Sequence, residues 1–274
     1  MAATRAGSGA LREEIAELDW YHTLELAPGV ITPGWFDLRK MASLVELPGS
    51  LEGKRCLDVG TFDGFWAFEL ERRGAAEVVA IDILDPLEWD WPAGSEEATI
   101  AAIGKRKARG AGFEIAHREL GSSVRRLELS VYDLDPEEVG RFDVVYLGSL
   151  LLHLRDPIGA LERVRAVCSG TAIICDAIDA PLTALFRRRP VVELDGVGRP
   201  WWWKPNLAAL VRMVQAAGFE LISPPARLRM PPGPGHPSPQ WRPRWLLSHS
   251  GRVETMRSWR GDPHAIVRAR PRVG

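Results

Sequence analysis

The sequence CLDVGTFDGF at residues 56–65 decides the fold of this 274-residue chain. An apolar run ends at Gly60, and Gly64 and an amphipathic stretch follow it, which is the pattern of a strand that turns sharply into a helix around a nucleotide. A second apolar run, residues 78–82, ends in Asp82, 22 residues after Gly60. Because a carboxylate at that spacing meets the ribose hydroxyls, the sequence predicts a nucleotide-binding α/β core.

The glycine pattern indicates which nucleotide this core binds. In a dinucleotide fingerprint the middle position is a glycine, but here it is Phe62, and Asp63 adds a negative charge where pyrophosphate would lie. NAD-dependent reduction is further disfavoured because none of the three tyrosines belongs to a Tyr-x-x-x-Lys pair. A ligand with a sulfonium and an ammonium group suits Asp58 and Asp63 better. The alternative is an ordinary strand, turn and helix with no ligand.

This motif resembles that of the class I S-adenosylmethionine-dependent methyltransferases, with Asp58, Gly60 and Gly64 at its signature positions. The resemblance implies a Rossmann-like doubly wound α/β sheet that is mostly parallel, with an antiparallel last strand. It also implies S-adenosyl-L-methionine as cofactor, with Asp133 near the adenine amino group, although a loop aspartate that caps a turn is the alternative for Asp133. The cofactor-binding residues implied are Asp58, Gly60, Thr61, Phe62, Gly64, Asp82, Ile83, Asp133, Leu134 and Gly148.

Strand and helix patterns alternate along the rest of the chain, and this predicts a parallel sheet with right-handed crossovers. Residues 1–50 are predicted to form an N-terminal cap that begins with an amphipathic helix over 11–19, and residues 51–274 the Rossmann-like domain. An insertion is expected near 180–205 and a Pro-rich loop near 230–243. The predicted strands are 54–59, 77–82, 126–131, 142–147, 171–176, 219–223 and 265–270. The predicted helices are 63–73, 156–167 and 206–217, with more than one helix between about 95 and 120.

Candidate catalytic residues lie in two segments, an aromatic stretch of the cap and the loop after the fourth core strand. Tyr21 and His22 belong to the cap, which we expect to form a lid where they could remove a proton from the acceptor. His153 follows Gly148, and ligands bind at the carboxyl ends of parallel strands. His153 is therefore either a general base or a residue that orients the loop, and a structural role for His22 is the corresponding alternative.

A substrate pocket is expected around Trp20, Leu152 and the run Trp201, Trp202 and Trp203. Three successive indoles cannot all be buried on one face, so at least one should meet ligand, lid or partner. A hydrophobic cap packed on Trp35 or Phe36 is the alternative.

Four segments, at residues 20–23, 32–34, 56–65 and 148–157, are similar to the bacterial tRNA wobble-uridine methyltransferases. That group acts on 5-carboxymethoxyuridine or 5-methoxyuridine positions. In the tRNA carboxymethyltransferase a tyrosine and an arginine pair with the carboxylate of a carboxylated cofactor. This chain has Leu152 and His264 at those places. The carboxylate would be left unpaired, so ordinary S-adenosylmethionine is implied.

Composition limits the partners and the metal chemistry. The net charge of −1 disfavours a generic nucleic-acid binder. Residues 221–274, however, carry ten arginines and only two acids, Glu254 and Asp262, so this segment forms either an anion-binding surface or a solvated basic face. Three cysteines without C-x-x-C spacing read as reduced core residues, which predicts a cytoplasmic protein, and the lack of a run of 18 apolar residues predicts no membrane segment. The six histidines are scattered, so no zinc site is expected, and magnesium bound by carboxylates is the alternative to a chain without metal.

These observations predict an S-adenosylmethionine-dependent methyltransferase that acts on O or N of a small-molecule acceptor. One alternative is a tRNA wobble-uridine methyltransferase, with tRNA as the partner. The other is a catalytically silent cofactor-binding partner subunit, which would keep the fold and lose the chemistry.

Overall fold

The computed structural model describes residues 2–194, 196–197, 200–236 and 261–272, and its centre is an eight-stranded sheet. The strand order is β10-β12-β7-β6-β3-β4-β5, and β11 pairs with β12 beside this path. Strands β3 to β7 are parallel, whereas β12 runs antiparallel to β7. The strands are β3 (Arg55–Val59), β4 (Glu77–Asp82), β5 (Arg125–Glu128), β6 (Phe142–Gly148), β7 (Cys168–Ala177), β10 (Phe219–Leu221), β11 (Ala226–Met230) and β12 (Asp262–Pro271). The predicted Rossmann-like α/β class is confirmed.

Helices cover both faces of this sheet, and two hairpins lie outside it. Several helices begin where a short polar side chain caps them: Asp156 accepts from the Gly159 N–H, and Asn206 accepts from the Ala209 N–H. The helices are α1 (Ala2–Ala16), α2 (Met41–Leu44), α3 (Phe65–Arg72), α4 (Glu97–Lys107), α5 (Ala111–Leu120), α6 (Pro136–Val139), α7 (Pro157–Val167), α8 (Ala180–Leu185) and α9 (Leu207–Ala216). The hairpins are β1 (Glu25–Ala27) with β2 (Val30–Ile31) and β8 (Val192–Leu194) with β9 (Trp203–Pro205).

The strands β3 and β4 are mostly apolar because both of their faces are covered, with charged residues at their ends and Asp58 as the buried exception. Leu57 and Ile81 face a core that includes α7 and α9, whereas Cys56 and Ala80 face a core that includes α1, α3 and α5. Each buried Leu or Ile side chain contributes about 1.5–3 kcal/mol to folding. The three cysteines are buried free thiols.

The N-terminal cap is built into the second of these cores. Leu11 and Ile15 of α1 belong to the same apolar cluster as Cys56. Backbone hydrogen bonds close the cap: the Thr23 N–H donates to the Phe36 carbonyl oxygen at 2.9 Å, and the chain after β11 joins it through the Gly233 N–H, which donates to the Trp35 oxygen at 2.7 Å. The cap is therefore fixed by residues far away in sequence. The boundary at residue 50 stays a prediction.

Some elements differ from their predictions. The helices predicted between about 95 and 120 are α4 and α5, which are separated where Ala108 and Arg109 adopt left-handed backbone angles with φ of 42° and 49°. The predicted loop from residue 230 is preceded by β11, which was not predicted, and residues 237–243 lie outside the described part of the chain. Within the described residues, none of the helices is both long enough and apolar enough to cross a membrane.

Candidate functional site

The loop between β3 and α3 has the backbone of a tight ligand-binding turn. Gly60, Phe62 and Gly64 have φ of 77°, 50° and 89°. Gly64 is required, because a Cβ there would lie 2.4 Å from the Phe68 ring. Phe62 is a non-glycine residue in the left-handed region, and such strain is concentrated at functional sites. The N–H groups of Gly60 and buried Thr61 both donate to the Ile81 carbonyl oxygen, which ties this loop to the end of β4.

Two buried carboxylates, Asp58 and Asp63, give the loop its electrostatic character. Burial raises the pKa of Asp58 to about 7 and that of Asp63 to about 6, because the charged forms lose their hydration. Asp58 accepts from the Ala67 N–H at 3.1 Å, and Asp63 accepts from the Tyr21 and His22 N–H groups at 2.7 and 2.9 Å. Asp63 therefore also anchors the cap. A cationic ligand would favour the ionised forms of both groups.

The carboxylate predicted to bind ribose, Asp82, is engaged by a cation that the sequence did not reveal. The ammonium of Lys107, at the end of α4, donates to Asp82 Oδ2, and the Phe62 N–H donates to the same oxygen at 2.6 Å. The Ile83 N–H donates to Asp82 Oδ1 at 2.8 Å. The Lys107 side chain is only 1% exposed and lies 4.4 Å from the centre of the Phe62 ring. No local motif marks this lysine, because α4 brings it to Asp82 through tertiary packing.

The residues predicted for the adenine side lie at the ends of the neighbouring strands. Asp133 is exposed at the end of a 3₁₀ turn, Val131–Asp133, whose N-cap is Ser130, and Leu134 is fully buried behind it. Gly148 ends β6, where a Cβ would lie 2.8 Å from the Tyr146 ring. The three residues keep their predicted roles as proposals.

The cap brings His22 and Tyr21 directly onto the loop after β3. Their rings pack on Phe62, with centroid distances of 6.5 Å for His22 and 4.6 Å for Tyr21. His22 is 5% exposed, its Nδ1 has no hydrogen-bond partner among the described residues, and burial lowers its pKa to about 3. The Tyr21 pKa is raised, chiefly by burial. Trp20 does not face an open pocket: it is a core residue whose indole N–H donates to the Ile15 carbonyl oxygen at 3.0 Å.

His153 and the tryptophan run hold the loop after β6 in place. His153 Nδ1 lies 2.5 Å from the Pro200 carbonyl oxygen and must donate to it, since a carbonyl only accepts. Trp202 donates through its backbone N–H to the Leu152 oxygen and through its indole to the Asp90 oxygen, at 2.7 and 2.5 Å. The Trp203 indole donates to the Leu154 carbonyl oxygen, and the Trp201 ring lies 4.7 Å from the Lys204 ammonium. These contacts support the loop-orienting alternative for His153.

Ser149 and His264 form a pair that sequence reasoning did not bring together. Ser149 Oγ lies 3.0 Å from His264 Nε2, while His264 Nδ1 lies 3.1 Å from the Asp262 carbonyl oxygen. For a neutral ring, Nδ1 must donate to the carbonyl, so Nε2 accepts from the Ser149 hydroxyl. Ser149 has a left-handed φ of 52°, and buried Asp176 holds the turn by accepting from the Leu150 and Leu151 N–H groups, both at 2.8 Å. A left-handed backbone at a residue other than glycine is typical of functional sites, and this is the local feature that marks Ser149.

Comparisons with known proteins identify relatives of this arrangement. Residues 36–223 match the family described as methyltransferase domain. The tRNA U34 carboxymethyltransferase of Dichelobacter nodosus is 27% identical over 79% of this chain, which spans 60% of that protein's length. A ubiquinone biosynthesis O-methyltransferase of Acinetobacter baumannii is 29% identical over 44% of this chain and 42% of its own length.

Solved structures share the fold at low sequence identity. The magnesium protoporphyrin IX methyltransferase of Synechocystis superposes with a TM-score of 0.51 at 14% identity, over 85% of this chain and 81% of that one. The [4+2]-cyclase SpnF superposes with a TM-score of 0.50 at 16% identity, over 86% and 81%. Because one of these folds carries the name of a cyclase, the fold alone does not fix the acceptor chemistry.

Proposed function

The chain belongs to the methyltransferase domain family, and on that premise we propose that it transfers the methyl group of S-adenosylmethionine to an oxygen or nitrogen atom of a small-molecule acceptor. Asp82 would accept the ribose hydroxyls, and Asp133 and Leu134 would border the adenine. The buried carboxylates of Asp58 and Asp63 would favour the positively charged methionine end of the cofactor. The bound cofactor supplies the sulfonium methyl that is transferred.

One observation supports the proposed acceptor chemistry: the buried imidazole of His22 packs on Phe62 of the loop that follows β3, and its Nδ1 has no hydrogen-bond partner among the described residues. A buried polar atom without a partner is costly, and such atoms are rare unless a ligand or water completes them. With its low pKa of about 3, His22 is neutral at pH 7 and can accept a hydrogen bond through Nδ1 when the ring proton lies on Nε2.

The chemistry needed from the chain is modest. The chain would hold the acceptor so that its lone pair lies in line with the methyl group that the bound cofactor would supply. An acceptor hydroxyl becomes strongly acidic as its oxygen gains the methyl group, so even a weak base such as His22 can take the proton at that moment. Tyr21, whose pKa is raised, would remain protonated and could donate a hydrogen bond to the acceptor.

A transfer screen tests this proposal. Radiolabelled S-adenosylmethionine is incubated with the full chain and with fractions of a small-molecule extract, with bulk tRNA in a parallel arm. We expect label in a small-molecule fraction and its loss in His22→Ala. Cofactor binding without label in any arm would instead favour the silent partner subunit.

A tRNA acceptor is the second candidate, because the 27% identity to a tRNA U34 carboxymethyltransferase extends over 223 residues. The tRNA arm of the screen decides this point. Label that appears in tRNA, at a nucleoside identified by mass spectrometry after digestion, would make tRNA the acceptor and remove the small-molecule proposal.

A further inference from the structure

We propose that a cavity at the carboxyl edge of the sheet binds an anionic group of the acceptor, a carboxylate or a phosphate; this inference rests on the proposed function. The cavity measures about 390 Å³ and lies where β7 ends and β12 begins, beside Ile178 and Pro263. That volume lies at the small end of the range typical of ligand pockets, which suits one charged group and a few neighbouring atoms.

The charge of the cavity wall selects an anion. Arg227 and Arg229 are two residues apart on β11, so both project from the same face of the strand, and both are exposed. None of the described lining residues carries a carboxylate. The acids nearest along the chain are Asp176, Asp179 and Asp262. Asp176 and Asp179 accept hydrogen bonds from backbone N–H groups at the starts of the following turns, and Asp262 pairs with Met230, so its side chain projects from the face opposite to the two arginines.

The guanidinium groups retain donors for a ligand. Arg229 Nη1 donates to the Gly261 carbonyl oxygen at 3.1 Å, which fixes the side chain and leaves the other N–H groups of its planar fork available. Such a fork matches a carboxylate or a phosphate in a bidentate arrangement, and these charge-assisted bonds are about twice as strong as neutral ones.

The cavity is placed where an acceptor would have to be anchored. In the sheet order, β11 lies four strands from β3, a distance of about 19 Å at ordinary strand spacing. His264 lines the cavity and also contacts Ser149, in the loop that follows β6, but it pairs with Leu228 and so projects from the face opposite to Arg227 and Arg229. An elongated acceptor whose anionic end is bound at the two arginines could lie along the carboxyl edge of the sheet and so reach the loops after β6 and β3.

Anion binding is measured without any methyl transfer. The full chain, saturated with S-adenosylhomocysteine, is titrated by calorimetry with inorganic phosphate and, in a separate arm, with succinate. We expect one of the two probes to bind with one-to-one stoichiometry and Arg229→Glu to weaken it about tenfold or more. Arg163→Glu, the same charge change at an exposed position of α7, should leave the affinity unchanged. Binding of neither probe, or an equal loss in Arg163→Glu, would overturn the proposal.

A second measurement separates this inference from the proposed function. With an acceptor found in the transfer screen, Arg227→Ala and Arg229→Ala should each raise KM about tenfold and leave kcat within about twofold, because the arginines bind the acceptor away from the reacting atoms. Anion binding without transfer to any acceptor would contradict the proposed function alone. Transfer with an unchanged KM in both variants would contradict the anion site alone.

Discussion

The two halves of the candidate site are assembled in different ways. On the cofactor side, the loops after β3 and β4 are joined by short-range contacts, such as the one from the Phe62 N–H to Asp82, 20 residues apart. On the acceptor side, Asp63 binds the cap 42 residues away, and Ser149 meets His264 115 residues away. Apart from Lys107, the cofactor side is thus built from the loops after two consecutive strands, whereas the acceptor side joins distant parts of the chain. Substitutions on the two sides should therefore affect different quantities.

The largest effect is expected from Asp82→Ala on the cofactor side. Removing this carboxylate leaves the Lys107 ammonium buried without its partner, which costs about 3–5 kcal/mol of the free energy of unfolding. Urea denaturation measures that loss. The double variant Asp82→Ala/Lys107→Met should recover most of the stability and still bind S-adenosylmethionine poorly in calorimetry. Full recovery of cofactor affinity in the double variant would show that Asp82 serves only the ion pair.

An effect of similar size, confined to turnover, is expected from His22→Ala. The loss of a proton acceptor typically lowers the rate about 100 to 10,000-fold, and cofactor affinity should change little if His22 faces the acceptor as proposed. His153→Ala is the matched control: its contact with Pro200 orients the loop after β6, so turnover and cofactor affinity should both fall. Unchanged turnover in His22→Ala would leave the site without its proposed base.

The Ser149 and His264 pair should have a moderate effect through positioning. Ser149→Ala removes the hydroxyl and keeps the strained backbone, whereas Ser149→Gly removes both. We expect each variant to lose roughly tenfold in turnover, with Ser149→Gly more stable than Ser149→Ala by about 1 kcal/mol. Thermal unfolding measures the difference in stability, and initial rates measure the turnover. Wild-type turnover in both variants would reduce the pair to a packing contact.

The smallest expected effect is a pH dependence of cofactor binding. The pKa values of about 7 for Asp58 and about 6 for Asp63 exceed the ordinary 3.8, so the folded unliganded protein binds more protons than the unfolded chain. These two groups therefore lower the free energy of unfolding as pH rises from about 4 to 7. A cationic cofactor favours their ionised forms, and its affinity should rise about tenfold between pH 5.5 and 8. Calorimetry of wild type and Asp58→Asn checks this, since the variant should show the weaker slope.

The contrast between the two sides also explains how much could be predicted from sequence. The methyltransferase class and its S-adenosylmethionine cofactor are implied by a resemblance that the glycines and carboxylates of one strand–turn–helix motif carry, and the family match confirms them. The structure confirms the Rossmann-like sheet. The cofactor-binding residues stay predictions, although the structure brings Gly60, Phe62 and Asp82 together as expected.

What could not be predicted depends on tertiary contacts. Lys107 reaches Asp82 only because α4 packs over the loop after β3, and a lysine at the end of a helix is ordinarily solvated. Trp20 is an aromatic residue of the kind that lines pockets, but its side chain is buried and its indole N–H donates to the Ile15 carbonyl oxygen of α1. The strand β11, with Arg227 and Arg229, is only five residues long and lies between proline pairs at residues 224–225 and 231–232, which indicate loop.

The choice of cofactor is the most direct test of the proposed S-adenosylmethionine-dependent function. The purified chain is analysed by mass spectrometry for co-purified ligand and then titrated by calorimetry with S-adenosylmethionine, S-adenosylhomocysteine and NAD under the same conditions. We expect the two adenosyl ligands to bind with roughly micromolar dissociation constants, a binding free energy of about −8 kcal/mol, and we expect no measurable binding of NAD. Equal or tighter binding of NAD would contradict the assignment of the loop after β3 and, with it, the proposed function.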